Sequence, residues 1–129
     1  MYVKDGQPYE SREDYLLDVG RRISDRRAEQ YQQVGLSEAR DAIAAAYSAV
    51  HRRMNQMLYA AKDAARQQAE AQGLGRRTAK AAVKAAVQEV ENSRAYRELM
   101  DVRRALDGAR KHLSDAFDQL LWEHRQSQA

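Results

Sequence analysis

The chain has 129 residues, enough for a single helical domain, and carries 32% charged residues with a formal net charge of only +3. It contains no cysteine, which excludes disulfides, thiolate metal sites and cysteine nucleophiles and fits a reducing, cytoplasmic setting. The N-terminus Met1-Tyr2-Val3-Lys4-Asp5 lacks the apolar core of a signal peptide, and no apolar run is long enough to span a bilayer, so no membrane association is expected.

Taken in chain order, residues 1–10 hold Asp5-Gly6, a pair suited to a two-residue hairpin turn because both central positions take positive φ. Pro8, the only proline, restricts any ribbon here to edge strands. A short β-ribbon or turn is expected. The first helix is predicted over 11–34. Ser11 accepts from first-turn amides, Glu13 and Asp14 complement the positive helix end, and Leu16, Val19 and Ile23 supply an apolar stripe. Val34-Gly35-Leu36-Ser37 is a stop-and-restart signal, with Gly35 in the left-handed position and Ser37 as the next cap.

The second helix is predicted over 37–72. Its core positions Ile43, Tyr47, Val50, Met54, Met57, Ala61 and Ala64 alternate by four and three, a heptad pattern. Gly73-Leu74-Gly75 ends it. The third helix is predicted over 76–125, with the stripe Ala95, Leu99, Val102, Leu106, Ala109, Leu113, Ala116 and Leu120. Upstream, Val83, Val87 and Val90 lie in a different frame, and the two frames meet at Glu91-Asn92-Ser93. A continuous but irregular helix is expected there; a cap at Asn92 or Ser93 that starts a fourth helix is the alternative. Two heptad helices joined by a short glycine-rich turn lie antiparallel, with Ile43 opposite Leu106 and Met57 opposite Ser93. The expected fold is all-α: an elongated antiparallel helical hairpin, or coiled coil, with the shorter first helix packed on its proximal half.

No reaction is written in the sequence, and a non-enzymatic protein without cofactor or metal is expected. His51, His112 and His124 are never three or four residues from one another, and neither HExxH nor ExxH occurs. Gly73-Leu74-Gly75 lacks the strand and spacing of a phosphate-cradling loop. Charge is more informative. Between Glu70 and Glu89 there is no acid, while Arg76, Arg77, Lys80 and Lys84 are all basic. Arg76, Lys80 and Lys84 are spaced by four, so they share one stripe at the start of a helix, where cations oppose the helix dipole. Contact with phosphate or an acidic protein surface accounts for such a cluster; so does solubility. No aromatic lies in the segment, so contact would be to nucleic-acid backbone and not to base sequence. Arg21, Arg22, Arg26 and Arg27 form a secondary basic cluster, with acids nearby. The Ala/Val seam around Val83 and Val87 and the apolar tail around Trp122 point to self-association, with a homodimer expected.

The segment Ser93-Arg94-Ala95-Tyr96-Arg97-Glu98-Leu99-Met100-Asp101-Val102-Arg103-Arg104-Ala105-Leu106 resembles the second helix of small helical-hairpin proteins that phages encode among DNA recombination and replication genes. The Asp-Gly opening ribbon is phage-like as well. The resemblance implies an accessory role in DNA metabolism and carries over no individual residue. Three functions follow in order: an accessory factor acting through protein and phosphate contacts, an inhibitor of a host enzyme or defence complex, and a structural part of a virion or other assembly.

Overall fold

The computed structural model describes Met1 to Ala129. In order, the elements are β1 (Tyr2–Lys4), β2 (Gln7–Tyr9), α1 (Arg12–Gln33), α2 (Ser37–Ala71), α3 (Arg76–Glu91) and α4 (Arg94–Gln128). Helix accounts for 84% of the chain, so the all-α expectation holds. The residues group into two compact units. One comprises Met1–Arg40 with Leu113–Ala129, the other Asp41–His112.

In the first unit, β1 and β2 pair antiparallel with Tyr2 opposite Tyr9 and Lys4 opposite Gln7. Asp5 (φ 53°) and Gly6 (φ 78°) turn the chain, as expected of a two-residue loop whose twist matches its strands. So small a ribbon needs an anchor. Tyr15 of α1 provides it, with its ring 5.5 Å from Tyr2 and 5.3 Å from Tyr9 between centroids. Ser11 caps α1, its hydroxyl accepting from the Asp14 amide at 3.2 Å. The helix ends in a Schellman motif. The Leu36 amide donates to the Tyr31 carbonyl at 3.0 Å and the Gly35 amide to the Gln32 carbonyl at 3.1 Å, with Gly35 at φ 76°. Leu36 also packs near Tyr31 in the core of this unit, where Tyr31, Phe117 and Leu121 are buried and Val34 and Leu113 lean on them.

Two expectations for this region are corrected. Ser37 is the first residue of α2 and not its cap; the Leu36 carbonyl already accepts from the Arg40 amide at 3.0 Å, because the Schellman bond fixes Leu36 one residue earlier. The stripe Leu16–Val19–Ile23 is not a buried seam. Leu16 is 53% and Ile23 63% exposed. The helix buries Tyr31 at its far end and applies Tyr15 to the ribbon, and these aromatic contacts set which way it faces.

In the second unit, the C-terminal half of α2 runs antiparallel to α3. Ala61 and Ala64 share a cleft with Val90 and Ser93, and Ala69 and Gln72 share one with Ala82 and Ala85. Ala69 is 3% exposed. The turn between the helices repeats the first motif: the Leu74 amide donates to the Ala69 carbonyl and the Gly73 amide to the Glu70 carbonyl, each at 3.0 Å, with Gly73 at φ 65°. Earlier on α2, Met54 is buried, as is Tyr96 of α4.

The helix predicted over 76–125 is two helices. The break falls at Asn92-Ser93, where the two hydrophobic frames meet, so the cap alternative is the one realised. Ser93 joins them: its hydroxyl donates to the Val90 carbonyl at 2.6 Å and accepts from the Tyr96 amide at 3.3 Å. One side chain thus adds a second hydrogen bond to the Val90 carbonyl, which also accepts from the Ser93 amide at 2.9 Å, and serves an orphan amide of α4. The stripe on α4 is also shifted. Ala95, Val102 and Ala116 are exposed, whereas Tyr96, Arg103 and Phe117 are covered to differing degrees together with Leu99, Leu106, Leu113 and Leu120.

Candidate nucleic-acid interface

Arg76, Arg77, Lys80 and Lys84 all lie on α3, and all four are exposed. At about 100° per residue, Arg76, Lys80 and Lys84 follow one flank of the helix. The Ala82–Ala85–Ala86 side, which lines the cleft with α2, lies across from it. None of the four basic side chains forms an ion pair; the five in the protein are Arg21–Asp18, Arg22–Asp18, Arg66–Asp63, Arg94–Glu98 and Arg104–Asp101. At the helix start, Gly75 provides no side-chain cap and the first turn contains no acid. The helix therefore presents unneutralised amides together with unneutralised cations, an electropositive flank about two turns long.

The secondary cluster is arranged differently. Asp18 takes hydrogen bonds from Arg21 at 3.2 Å, from Arg22 at 2.7 Å and from the Tyr9 hydroxyl at 2.7 Å. Arg22 also donates to Tyr9 at 2.9 Å. The hydrogen bond from Tyr9 is the main reason that the Asp18 carboxyl lies below its ordinary range, with Arg21 and Arg22 acting in the same direction. The same bond to Asp18 is the main reason that the Tyr9 hydroxyl is pushed up. Asp18 and Arg22 thus fasten the ribbon to α1 through Tyr9, and Arg21 pairs with Asp18 within the helix. Arg27 lies over the Phe117 ring, 4.8 Å from its centroid. Arg26 alone has neither an ion pair nor a ring beneath it; it borders a groove with Tyr15, Val19, Arg22 and Ile23. The sequence marked these four as one basic patch, but Asp18 pairs with Arg21 and Arg22, and two residues far away in the chain, Tyr9 and Phe117, engage Arg22 and Arg27.

Of the residues expected to mediate self-association, Val83 and Val87 are half-buried within the second unit. Trp122 is 60% exposed, beside Asp115, Asp118 and Gln119 on the same face of α4. The aromatic–cation contacts were not foreseen. Tyr31 stacks on Phe117 with Arg40 4.9 Å from the Tyr31 centroid, and Arg110 lies 5.2 Å from the Tyr47 centroid. No helix is long and apolar enough to cross a membrane, and no three acidic or histidine side chains gather where they could hold a metal ion. No protein-family model, curated protein or solved structure matches the chain.

Proposed function

We propose that the chain is a non-enzymatic binding protein that contacts the phosphate backbone of nucleic acid through the Arg76–Arg77–Lys80–Lys84 flank of α3. The role is that of an accessory factor in phage-type DNA metabolism, as the resemblance of 93–106 implies. The observation that supports this reading is the contrast between the two basic clusters. Arg21, Arg22 and Arg27 are engaged by Asp18 and Phe117, whereas the α3 cations are exposed, acid-free and gathered at a helix N-terminus. Cations there disfavour the helix by a few tenths of a kcal/mol each, roughly the reverse of the gain an anion gives. A bound phosphate reverses the sign. With no aromatic in the segment, contacts go to phosphate oxygens, and affinity is independent of base sequence.

The test is a binding titration with a labelled oligonucleotide of mixed sequence and a second of unrelated sequence. The two bind alike, and Arg76→Gln/Lys80→Gln/Lys84→Gln weakens both equally while the circular-dichroism spectrum stays unchanged. A triple variant that binds as the parent does removes the flank from the interface.

A further inference from the structure

Two faces of the first unit lack a partner and complement each other. On α1, Leu16 (53% exposed) and Ile23 (63% exposed) form an open apolar stripe. Val19 and Ile23 border a groove whose charged rim is Arg22 and Arg26 on the helix and Asp5 from the ribbon turn. On α4, Trp122 (60% exposed) stands beside Asp115 and Asp118 on one helix face. Asp118 precedes Trp122 by four residues and Asp115 by seven, so the carboxylates sit one and two turns from the indole, about 6 and 11 Å along the axis. On α1, Arg26 lies three residues beyond Ile23 and Arg22 three beyond Val19, a charge about one turn from each apolar position. A groove with apolar walls and two arginines on its helix side thus complements an indole flanked by aspartates.

We infer that these faces join two copies of the chain, the Trp122 face of each seated in the Val19–Ile23 groove of the other. Every copy carries both faces, so reciprocal docking about a two-fold axis satisfies both at once and closes as a dimer. The indole fills the apolar groove, and the aspartates reach the arginine rim. Arg26 is the key cation, because it alone among the clustered arginines of α1 has neither an ion pair nor a ring partner in its own chain. The assembly is independent of the basic flank of α3.

Trp122 is the only tryptophan, so its emission reports on this contact directly. Sedimentation velocity and tryptophan fluorescence are recorded across a concentration series for the parent, R26D, D118R and an equimolar mixture of the two variants. The parent forms dimers at high micromolar concentration, and its emission shifts to the blue as it does so. Each single variant keeps its helicity but associates about tenfold more weakly or worse, since like charges face each other across the contact. Mixing restores the dimer and the blue shift, because one contact is then native and the other has both charges reversed. A parent that stays monomeric with invariant emission overturns the inference. Single variants that dimerise as the parent does, or a mixture that stays monomeric, overturn it too.

Discussion

Tyr31 and Phe117 stack with ring centroids 4.0 Å apart and planes 14° from parallel, joining α1 to the last third of α4. Phe117 is completely buried, and guanidinium groups accompany the pair, Arg27 at Phe117 and Arg40 at Tyr31. With only Tyr31, Phe117 and Leu121 buried in this unit, the stack dominates its cohesion. Phe117→Ala removes the ring and leaves a cavity, for an expected loss of about 3–5 kcal/mol. Chemical denaturation followed by circular dichroism measures it. A loss below about 1 kcal/mol, the scale of an ordinary surface substitution, contradicts the role given to the stack.

The Tyr9–Asp18 hydrogen bond makes attachment of the ribbon sensitive to pH at both extremes. Asp18 has a lowered pKa in the folded chain, so its contribution is present above the ordinary aspartate value and is lost as pH falls through the lowered one. Tyr9 has a raised pKa, so its contribution is present below the ordinary tyrosine value and is lost as pH rises through the raised one. Tyr9→Phe removes the donor and lets the Asp18 carboxyl titrate higher. NMR titration of the Asp18 side chain in parent and variant checks this; an unchanged midpoint contradicts it.

Ser93 serves both helices with one hydroxyl. Ser93→Ala strips the cap from α4 and is expected to cost about 0.5–2 kcal/mol, whereas Ser93→Gly costs only a few tenths. Thermal unfolding of the two variants should rank them in that order. Equal stability for Ser93→Ala and the parent would mean that the break is held by packing alone.

Two glycines predict opposite signs for one substitution. An added Cβ meets nothing within 4 Å at either Gly35 or Gly108, so space does not decide. Gly35 sits at φ 76°, and Gly35→Ala is expected to destabilise by about 1–2 kcal/mol. Gly108 lies inside α4, and Gly108→Ala is expected to stabilise by about 0.5–1 kcal/mol. Denaturation midpoints of the two variants should move apart from the parent.

Legibility in the sequence followed range of interaction. The Asp5-Gly6 turn, the Ser11 cap and the stops at Gly35 and Gly73 were readable because each depends on a few neighbouring residues. The all-α class followed from the 4/3 spacing of apolar positions, and the antiparallel α2–α3 pairing from the position of the glycine turn. Which face each helix buries was less readable. The heptad frame counts apolar positions equally, but Phe117 and Tyr96 bring far more volume than Ala116 and Ala95, and the covered stripe of α4 turned toward them. The stripe Leu16–Val19–Ile23 misled for a related reason: periodicity marks an apolar face without saying whether the same chain covers it. At the candidate site, the acid-free run 76–84 was visible as composition. That Tyr9 and Phe117 engage the other basic cluster depends on tertiary contacts that local spacing does not encode.

Binding measured as a function of salt tests the central claim about α3 most directly. Each neutralised phosphate adds a slope of roughly 0.7–0.9 in log affinity against log salt. An oligonucleotide titration at several salt concentrations, with parent and the Arg76→Gln/Lys80→Gln/Lys84→Gln variant side by side, gives the number of phosphates that the three side chains neutralise. If the flank holds the phosphate backbone, the parent slope is steep and the variant slope is shallower by roughly 1.4 or more, equivalent to about two phosphates. Equal slopes for the two proteins, or parent binding that does not respond to salt, contradict the account.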